Sequence, residues 1–149
     1  MNIRDLINEL NKFLKILDNA YNINSGGCFY VAYLIARELD NLGINYTVVD
    51  WHEDDRLNEY SMYHRSLKVD GRYVNPPLIN YGNYTDELGY ISPYKLSRDS
   101  GKYSLGLLRP SIRIKIRDSI SKFFNEYSNK ETQRIMFERG EFNRIEDYK

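Results

Sequence analysis

The sequence predicts an α+β domain in which N-terminal helices pack on a small antiparallel β-sheet and a further helix lies towards the C-terminus. Two stretches, residues 3–19 and 28–42, repeat apolar side chains every three or four positions, which is the spacing of one buried helix face. The segment that follows is rich in β-branched and aromatic residues and contains Asp70-Gly71, which is typical of a tight hairpin turn. A third helical pattern begins at Pro110.

Length and charge indicate one ordinary globular domain over residues 1–149. Lys and Arg together number 21, as do Asp and Glu, so net charge gives no reason to expect a nucleic acid or a membrane as partner. The single cysteine cannot form an internal disulfide, and no stretch approaches the roughly 20 apolar residues of a membrane helix. The polar N-terminus is unlike a signal peptide. We therefore expect a cytoplasmic protein of a bacterium or of an infected host cell.

The first helix is predicted over residues 3–19, and an Asn-rich connection over residues 20–25 follows it. The second helix runs to about Leu42, because Gly43 stands where a helix commonly stops. The apolar face of the first helix comprises Ile3, Leu6, Ile7, Leu10, Phe13, Leu14 and Leu17.

The only cysteine, Cys28, opens the second helix after Gly26 and Gly27. With Ser25 or Asn24 as N-cap, Cys28 falls in the first helical turn, where unpaired N–H groups and the helix dipole favour a thiolate. The two glycines leave room for another backbone, such as that of a substrate, to approach. The alternative is a buried core thiol, because Cys28 shares its helical face with apolar residues.

Three strands are predicted after the second helix, over residues 45–51, 60–69 and 72–75. A two-residue loop at Asp70-Gly71 joins the second strand to the third and fixes their register. Cross-strand pairs are therefore predicted at Val69 with Arg72, Leu67 with Val74, and Ser66 with Asn75.

This register brings His64 close to Asn75. His64 precedes Ser66 by two residues and shares its face, so Asn75 is its diagonal neighbour at about 7 to 8 Å between backbones. A histidine held by an Asn amide supplies the base and the orienter of a thiol triad, in which Cys28 is the nucleophile. The alternatives are an exposed strand histidine and a polar residue that closes a strand.

Gly-Gly-Cys28 heads a helix, His64 lies on a later strand, and Asn75 follows an Asp-Gly turn and precedes a proline. In these features the chain resembles the papain-like superfamily, and within it the transglutaminase-like branch that includes arylamine N-acetyltransferases and bacterial cysteine peptidases. The resemblance covers residues 24–77, the core of the predicted domain. It implies a papain-like fold in which Cys28 accepts the acyl group, His64 exchanges its proton, and Asn75 orients the ring.

Two positions depart from the transglutaminase-like pattern. That branch usually has an aromatic residue where this chain has Ser66, and Asp where it has Asn75, although Asn is the papain choice. Papain-like peptidases also have a Gln six residues before the cysteine that helps to bind the oxyanion, and Asn22 takes that position here. The resemblance therefore implies an oxyanion role for Asn22 and a substrate cleft at Gly26, Gly27 and Ser66.

The C-terminal half gives weaker patterns. Residues 78–109 are rich in tyrosine and show no sustained period, so we expect short strands or turns that either form a cleft wall or shield the core. A third helix is predicted from Pro110 to about Tyr127, and a short fourth helix over residues 131–139 completes a helical segment over residues 110–139.

These residues predict a cysteine-nucleophile hydrolase or acyltransferase that acts on a peptide or protein through a Cys-His-Asn triad and an acyl-enzyme intermediate. No cofactor or metal is predicted, because the acidic residues after His52 have no second His or Cys cluster and no phosphate-binding loop is present. The alternative is a catalytically inactive protein of the same fold that serves as a phage structural or host-interaction protein.

Overall fold

The computed structural model describes residues 2–52, 62–78, 84–104 and 108–138, which form four α-helices and one four-stranded antiparallel β-sheet. The helices are α1 (Ile3–Tyr21), α2 (Cys28–Asn41), α3 (Pro93–Ser104) and α4 (Pro110–Glu138). The strands are β1 (Thr47–His52), β2 (Met62–Val69), β3 (Arg72–Val74) and β4 (Thr85–Gly89), in the order β3-β2-β1-β4 across the sheet. The predicted α+β class is confirmed.

Helix α1 forms where the sequence predicts it and extends two residues further. Asn2 caps the helix, since its side-chain oxygen accepts the N–H of Asp5 at 3.1 Å. The helix ends at Asn22, which adopts a left-handed conformation with φ 54° and donates its N–H to the carbonyl oxygen of Asp18 at 2.7 Å. The buried residues of α1 all belong to the predicted apolar face: Leu6, Ile7, Leu10, Leu14 and Leu17.

Helix α2 begins at Cys28, as predicted, but its N-cap is Gly27 and not Ser25 or Asn24. A Cβ atom at Gly27 would lie 2.5 Å from the carbonyl oxygen of Ile23. The glycine thus lets the preceding turn pack directly against the start of the helix. The predicted N-cap is wrong because this close approach, and not a side-chain hydrogen bond, determines where the helix begins.

The register of the β2–β3 hairpin is confirmed for two of the three predicted pairs, and Ser66 and Asn75 are not paired in the ladder. Val69 pairs with Arg72 and Leu67 pairs with Val74 on either side of the two-residue turn. Strand β3 ends one residue earlier than predicted, because Asn75 has a φ of 57° and turns the chain out of the sheet.

Strand β1 pairs with β2 on one side and with β4 on the other. On β2, Arg65 faces Asp50 and His64 faces Trp51. Because successive side chains of a strand alternate, Arg65 shares a face with Leu67 of the hydrophobic core, whereas His64 lies on the opposite face.

The core is one cluster built from the helices and the sheet, and α2 packs against β2, α3 and α4 within it. Burial of each large aliphatic side chain contributes about 1.5 to 3 kcal/mol to stability. Among the largest fully buried side chains are Leu6, Leu10, Leu34, Leu39, Leu67 and Ile120.

The prediction of short strands or turns over residues 78–109 is confirmed for β4 and wrong for α3. Leu96 and Ser100 are the buried residues among those described in α3, so no apolar period marks this helix in the sequence. Its packing against α2 stabilises a segment that has little helical signal of its own.

The two helices predicted over residues 110–139 form the single helix α4, because neither Gly nor Pro interrupts the chain between them. Predictions for residues 53–56, for the start of the second strand at residue 60 and for residues 140–149 lie outside the described residues. Within the described ranges, no helix has both the length and the apolar character needed to cross a membrane.

Candidate active site

Cys28, the first residue of α2, is buried, with 3% of its surface exposed. The backbone N–H of Arg65, on β2, lies close enough to the Cys28 sulfur to affect its pKa. Burial raises the pKa of the Cys28 thiol above its ordinary value, and hydrogen bonds from the N–H groups of Arg65 and Phe29 lower it by less. The thiol is therefore protonated at neutral pH.

His64 is also buried, and its ring is held at Nε2, which lies 2.7 Å from the main-chain oxygen of Asn75. A carbonyl oxygen can only accept a hydrogen bond, so Nε2 carries the proton and Nδ1 is the basic nitrogen. Burial lowers the pKa of His64, whereas the hydrogen bond to Asn75 acts in the opposite direction. The resting imidazole is therefore neutral.

Asn75 contacts His64 through its main chain, whereas the sequence suggests a contact through the carboxamide. The left-handed conformation of Asn75 directs its carbonyl oxygen towards His64 and Ser66, and the Ser66 hydroxyl donates to the same oxygen at 2.9 Å. Ser66 in turn accepts the indole N–H of Trp51 at 3.1 Å. Two side chains thus converge on one main-chain oxygen, which fixes the position of the His64 ring.

Two asparagines that were not among the predicted site residues, Asn11 and Asn24, hold Asn75 in this conformation. Asn11 of α1 accepts the N–H of Asn75 at 2.8 Å and donates to the carbonyl oxygen of Tyr73 at 2.9 Å. The carboxamides of Asn75 and Asn24 exchange hydrogen bonds of 3.0 and 3.3 Å. An Asn at the predicted end of a strand is the signal that could have indicated a left-handed residue, because Asn adopts this conformation more readily than most residues.

Cys28 and His64 contact different partners in the structure. The backbone N–H of Arg65, which directly follows His64 in the chain, lowers the pKa of the Cys28 thiol, whereas the His64 ring is held by Asn75. Between these two described residues, no hydrogen bond joins the sulfur to the imidazole. The catalytic roles of Cys28, His64 and Asn75 remain predictions.

A cavity of about 220 Å³ opens beside the His64 ring. Asn22, the predicted oxyanion residue, lines this cavity together with His64. The remaining lining residues are Asp18, Asn24, Ser25, Pro77 and Leu78. A second cavity of about 250 Å³ shares Asp18, Asn24 and Leu78 with the first, so the two lie side by side.

The three residues predicted to form the substrate cleft, Gly26, Gly27 and Ser66, are not among the residues that line the cavity beside His64. Ser66 is 1% exposed and is engaged with the Asn75 carbonyl. Next to Gly27, the space that a side chain would need is occupied by the Ile23 carbonyl oxygen. Gly26 has a φ of 97° in the turn before α2. These positions shape the chain around Cys28, and a substrate-binding role for them stays a prediction.

A buried ion-pair network, which was not among the predicted sites, lies on the other face of β2. Arg65 donates to both carboxylate oxygens of Asp50, at 2.7 and 3.0 Å, and to Asp99 of α3 at 2.9 Å. Although burial lowers the pKa of Arg65, the two carboxylates raise it by more. The signal was a charged residue two positions before a core residue, as Arg65 stands before Leu67.

Within the described residues, no group of three or more His, Cys, Asp or Glu side chains could hold a metal ion. His52 lies 2.8 Å from a carboxylate oxygen of Asp86 on the neighbouring strand. Residues 53–55, the acidic run that follows it in the sequence, lie outside the described ranges.

Comparison with protein-family models, with curated proteins and with solved structures finds no match for this chain. The resemblance to the papain-like superfamily therefore depends on the residues described above.

Proposed function

We propose that this protein is a cysteine-dependent hydrolase or acyltransferase that acts on a peptide or protein substrate, with Cys28 as nucleophile and His64 as base. The observation that supports this is the 2.7 Å hydrogen bond between His64 Nε2 and the Asn75 carbonyl oxygen. It holds the imidazole in the tautomer whose basic nitrogen, Nδ1, is free to accept a proton.

The resting site holds a neutral thiol and a neutral imidazole. As the Cys28 sulfur attacks the substrate carbonyl carbon, its proton passes to His64 Nδ1, and the carbonyl π electrons move to the oxygen. The Asn75 carbonyl accepts the Nε2–H of the resulting imidazolium and stabilises its charge. Collapse of the intermediate breaks the bond to the leaving amine or alcohol, which takes the proton from His64. A thioester on Cys28 remains.

Deacylation repeats these steps with a new nucleophile. Water or an amine enters, His64 Nδ1 takes its proton, and the C–S bond breaks to return the Cys28 thiol. The oxyanion of each intermediate needs donors near the start of α2. The backbone N–H of Cys28 is at the first helical position, which lacks an intrahelical acceptor, and Asn22 lines the adjacent cavity.

The arrangement of the elements supports a papain-like fold of the transglutaminase-like branch. A helix headed by Cys28 packs against an antiparallel sheet, His64 lies on the strand it contacts, and Asn75 follows the next strand. The chain order Cys, His, Asn agrees with that resemblance. A single cysteine that cannot form an internal disulfide is typical of a reducing compartment, so we propose a cytoplasmic location.

Acyl-enzyme trapping tests the proposal. The protein is incubated with p-nitrophenyl acetate, nitrophenolate release is followed, and the acetylated residue is located by mass spectrometry. We expect a thioester on Cys28, no adduct in Cys28→Ala, and acylation slowed at least about 100-fold in His64→Ala.

The matched control is His52→Ala, which removes the only other histidine and should leave acylation unchanged. Acylation of Cys28 at the wild-type rate in His64→Ala would exclude His64 as the base and contradict the proposal.

A second candidate function is a binding protein without catalytic activity, and the burial of Cys28 favours it. With 3% exposure and a raised pKa, the thiol has the properties of a core cysteine. Alkylation by iodoacetamide separates the two candidates. A thiol that reacts in the native protein, and more slowly in His64→Ala, supports the enzyme, whereas a thiol that reacts only after unfolding supports the binding protein.

A further inference from the structure

Arg65 contacts the start of α2 at two points, although the proposed chemistry does not use its side chain. Its backbone N–H lies close enough to the Cys28 sulfur to lower the pKa of the thiol. Its guanidinium carbon lies 4.5 Å from the centre of the ring of Phe29, the residue after Cys28. The main chain and the side chain of one β2 residue thus both hold the first turn of the cysteine helix.

The guanidinium is itself held in place from two other elements. Asp50 of β1 binds it through two hydrogen bonds, and Asp99 of α3 binds it through a third. The Arg65 side chain is 4% exposed and the Asp50 side chain 2%, whereas Asp99 is 22% exposed. Planar, two-point pairing with a carboxylate leaves the guanidinium one orientation, in which it covers the Phe29 ring.

We propose that Arg65 is a positioning residue for Cys28, and that Asp50 and Asp99 set how strongly its positive charge acts on the sulfur. The inference rests on the proposed function, because positioning of Cys28 affects a reaction only if Cys28 is the nucleophile. It adds to that function a control on nucleophile reactivity that extends through the sheet to α3.

The charges of this network shift the pKa of the Cys28 thiol in directions that can be stated. The charged groups that act on the thiol are Arg65 of β2 and Asp50 of β1, and Asp99 of α3 binds the Arg65 guanidinium. The charge of Arg65 lowers the pKa of the Cys28 thiol and that of Asp50 raises it. Loss of a carboxylate from this network therefore leaves more positive charge beside the sulfur and favours the thiolate.

The test is the pH dependence of Cys28 alkylation in the folded protein, measured with iodoacetamide from about pH 7 to 10. In Asp99→Asn the Asp50 pair remains, so the fold is retained and the thiol pKa falls. We expect alkylation at neutral pH to become about 3- to 10-fold faster, which corresponds to a pKa lower by half a unit to one unit. In Arg65→Met we expect the opposite shift.

The matched control is Arg37→Met. Arg37 also lies on α2 and also packs on an aromatic ring, with its guanidinium carbon 5.4 Å from the centre of Tyr33. Its loss should leave the alkylation profile unchanged. If Arg65→Met does not fold, Asp99→Asn alone decides the question. A thiol pKa in Asp99→Asn that equals or exceeds the wild-type value would overturn the inference.

Failure of this inference is distinguishable from failure of the proposed function. Alkylation measures the thiol whether or not the protein acylates. Acylation that requires His64, together with an unchanged profile in Asp99→Asn, would remove only the role of Arg65. A shifted profile without any acyl-enzyme would contradict the proposed function, and the effect of the Arg65 network on the thiol pKa would remain without a catalytic role.

Discussion

The Nε2 atom of His64 lies 2.7 Å from the main-chain oxygen of Asn75, whose own carboxamide turns away and pairs with Asn24. An imidazole that is oriented by a main-chain atom depends on the backbone conformation at that residue and not on the identity of its side chain. In a conventional Cys-His-Asn triad the Asn carboxamide orients the imidazole, whereas here the main chain of Asn75 orients it and the carboxamide binds Asn24.

Asn75→Gly should therefore keep the site intact. Glycine adopts the left-handed conformation without strain and retains the carbonyl oxygen, so we expect Cys28 acylation to change by less than about threefold. Loss of the Asn24 pair should lower the free energy of unfolding by about 0.5 to 1.5 kcal/mol in urea titrations.

Asn75→Ala is the comparison for this glycine variant. The left-handed conformation of residue 75 costs alanine about 1 to 2 kcal/mol. The main-chain oxygen that holds His64 should therefore shift, and Cys28 acylation should slow. If Asn75→Gly slowed acylation as much as His64→Ala does, the carboxamide would be the true orienter.

Asn11→Ala should destabilise the protein and the site together. The substitution leaves the Asn75 N–H and the Tyr73 carbonyl without their partner, which costs about 1 to 3 kcal/mol. Circular dichroism in urea measures the change in unfolding free energy. The control is Lys12→Ala, whose side chain is 74% exposed and should matter by less than about 0.5 kcal/mol. If the two substitutions lowered the free energy of unfolding equally, the hydrogen bonds of Asn11 to Asn75 and Tyr73 would not stabilise the protein.

Gly27→Ala should be more costly than an ordinary glycine substitution. Its Cβ would lie 2.5 Å from the Ile23 carbonyl oxygen and 3.0 Å from the Leu108 side chain, so the start of α2 must move, at a cost of about 1 to 3 kcal/mol. A shift of Cys28 should slow acylation as well.

Gly43→Ala is the reference for this substitution, because Gly43 has a positive φ and open space around it, and it should lose stability without loss of acylation. A Gly27→Ala protein as stable as the wild type would contradict the close packing at this turn.

Stability should fall as the solution becomes acidic, because His64 is buried in its neutral form. Its pKa is lowered in the folded state, so the unfolded chain binds the proton more readily. The contribution of His64 is therefore complete above the unfolded pKa of about 6.5, and it is lost as the pH falls through the lower folded pKa.

Urea titrations at about pH 7.5 and 5.5 measure this dependence, which should be smaller in His64→Gln than in the wild type. An identical pH dependence in the two proteins would show that His64 does not titrate on unfolding.

The sequence predicts those parts of the structure that local chemistry determines. The Asp70-Gly71 turn fixes two cross-strand pairs without any knowledge of the rest of the fold, and the apolar period of α1 identifies all of its buried residues. The position of His64 close to Asn75 follows from that short turn.

Contacts between distant segments were not predictable in this way. The pairing of Asp50 with Arg65 depends on the register of β1 against β2, and no short turn fixes that register. Helix α3 depends on its packing against α2, and Asn11 reaches Asn75 from α1 across 64 positions of the chain. The sequence records the residues involved but not the packing that brings them together.

Trp51 is the only tryptophan of the chain, and its indole N–H binds the Ser66 hydroxyl, which binds the same Asn75 oxygen that anchors His64. The tryptophan fluorescence of the protein therefore comes from a group that three hydrogen bonds link to the imidazole. Events that displace this anchor, such as acylation or occupation of the adjacent cavity, should change the emission of an unlabelled sample, which supplies an optical signal for ligand screening.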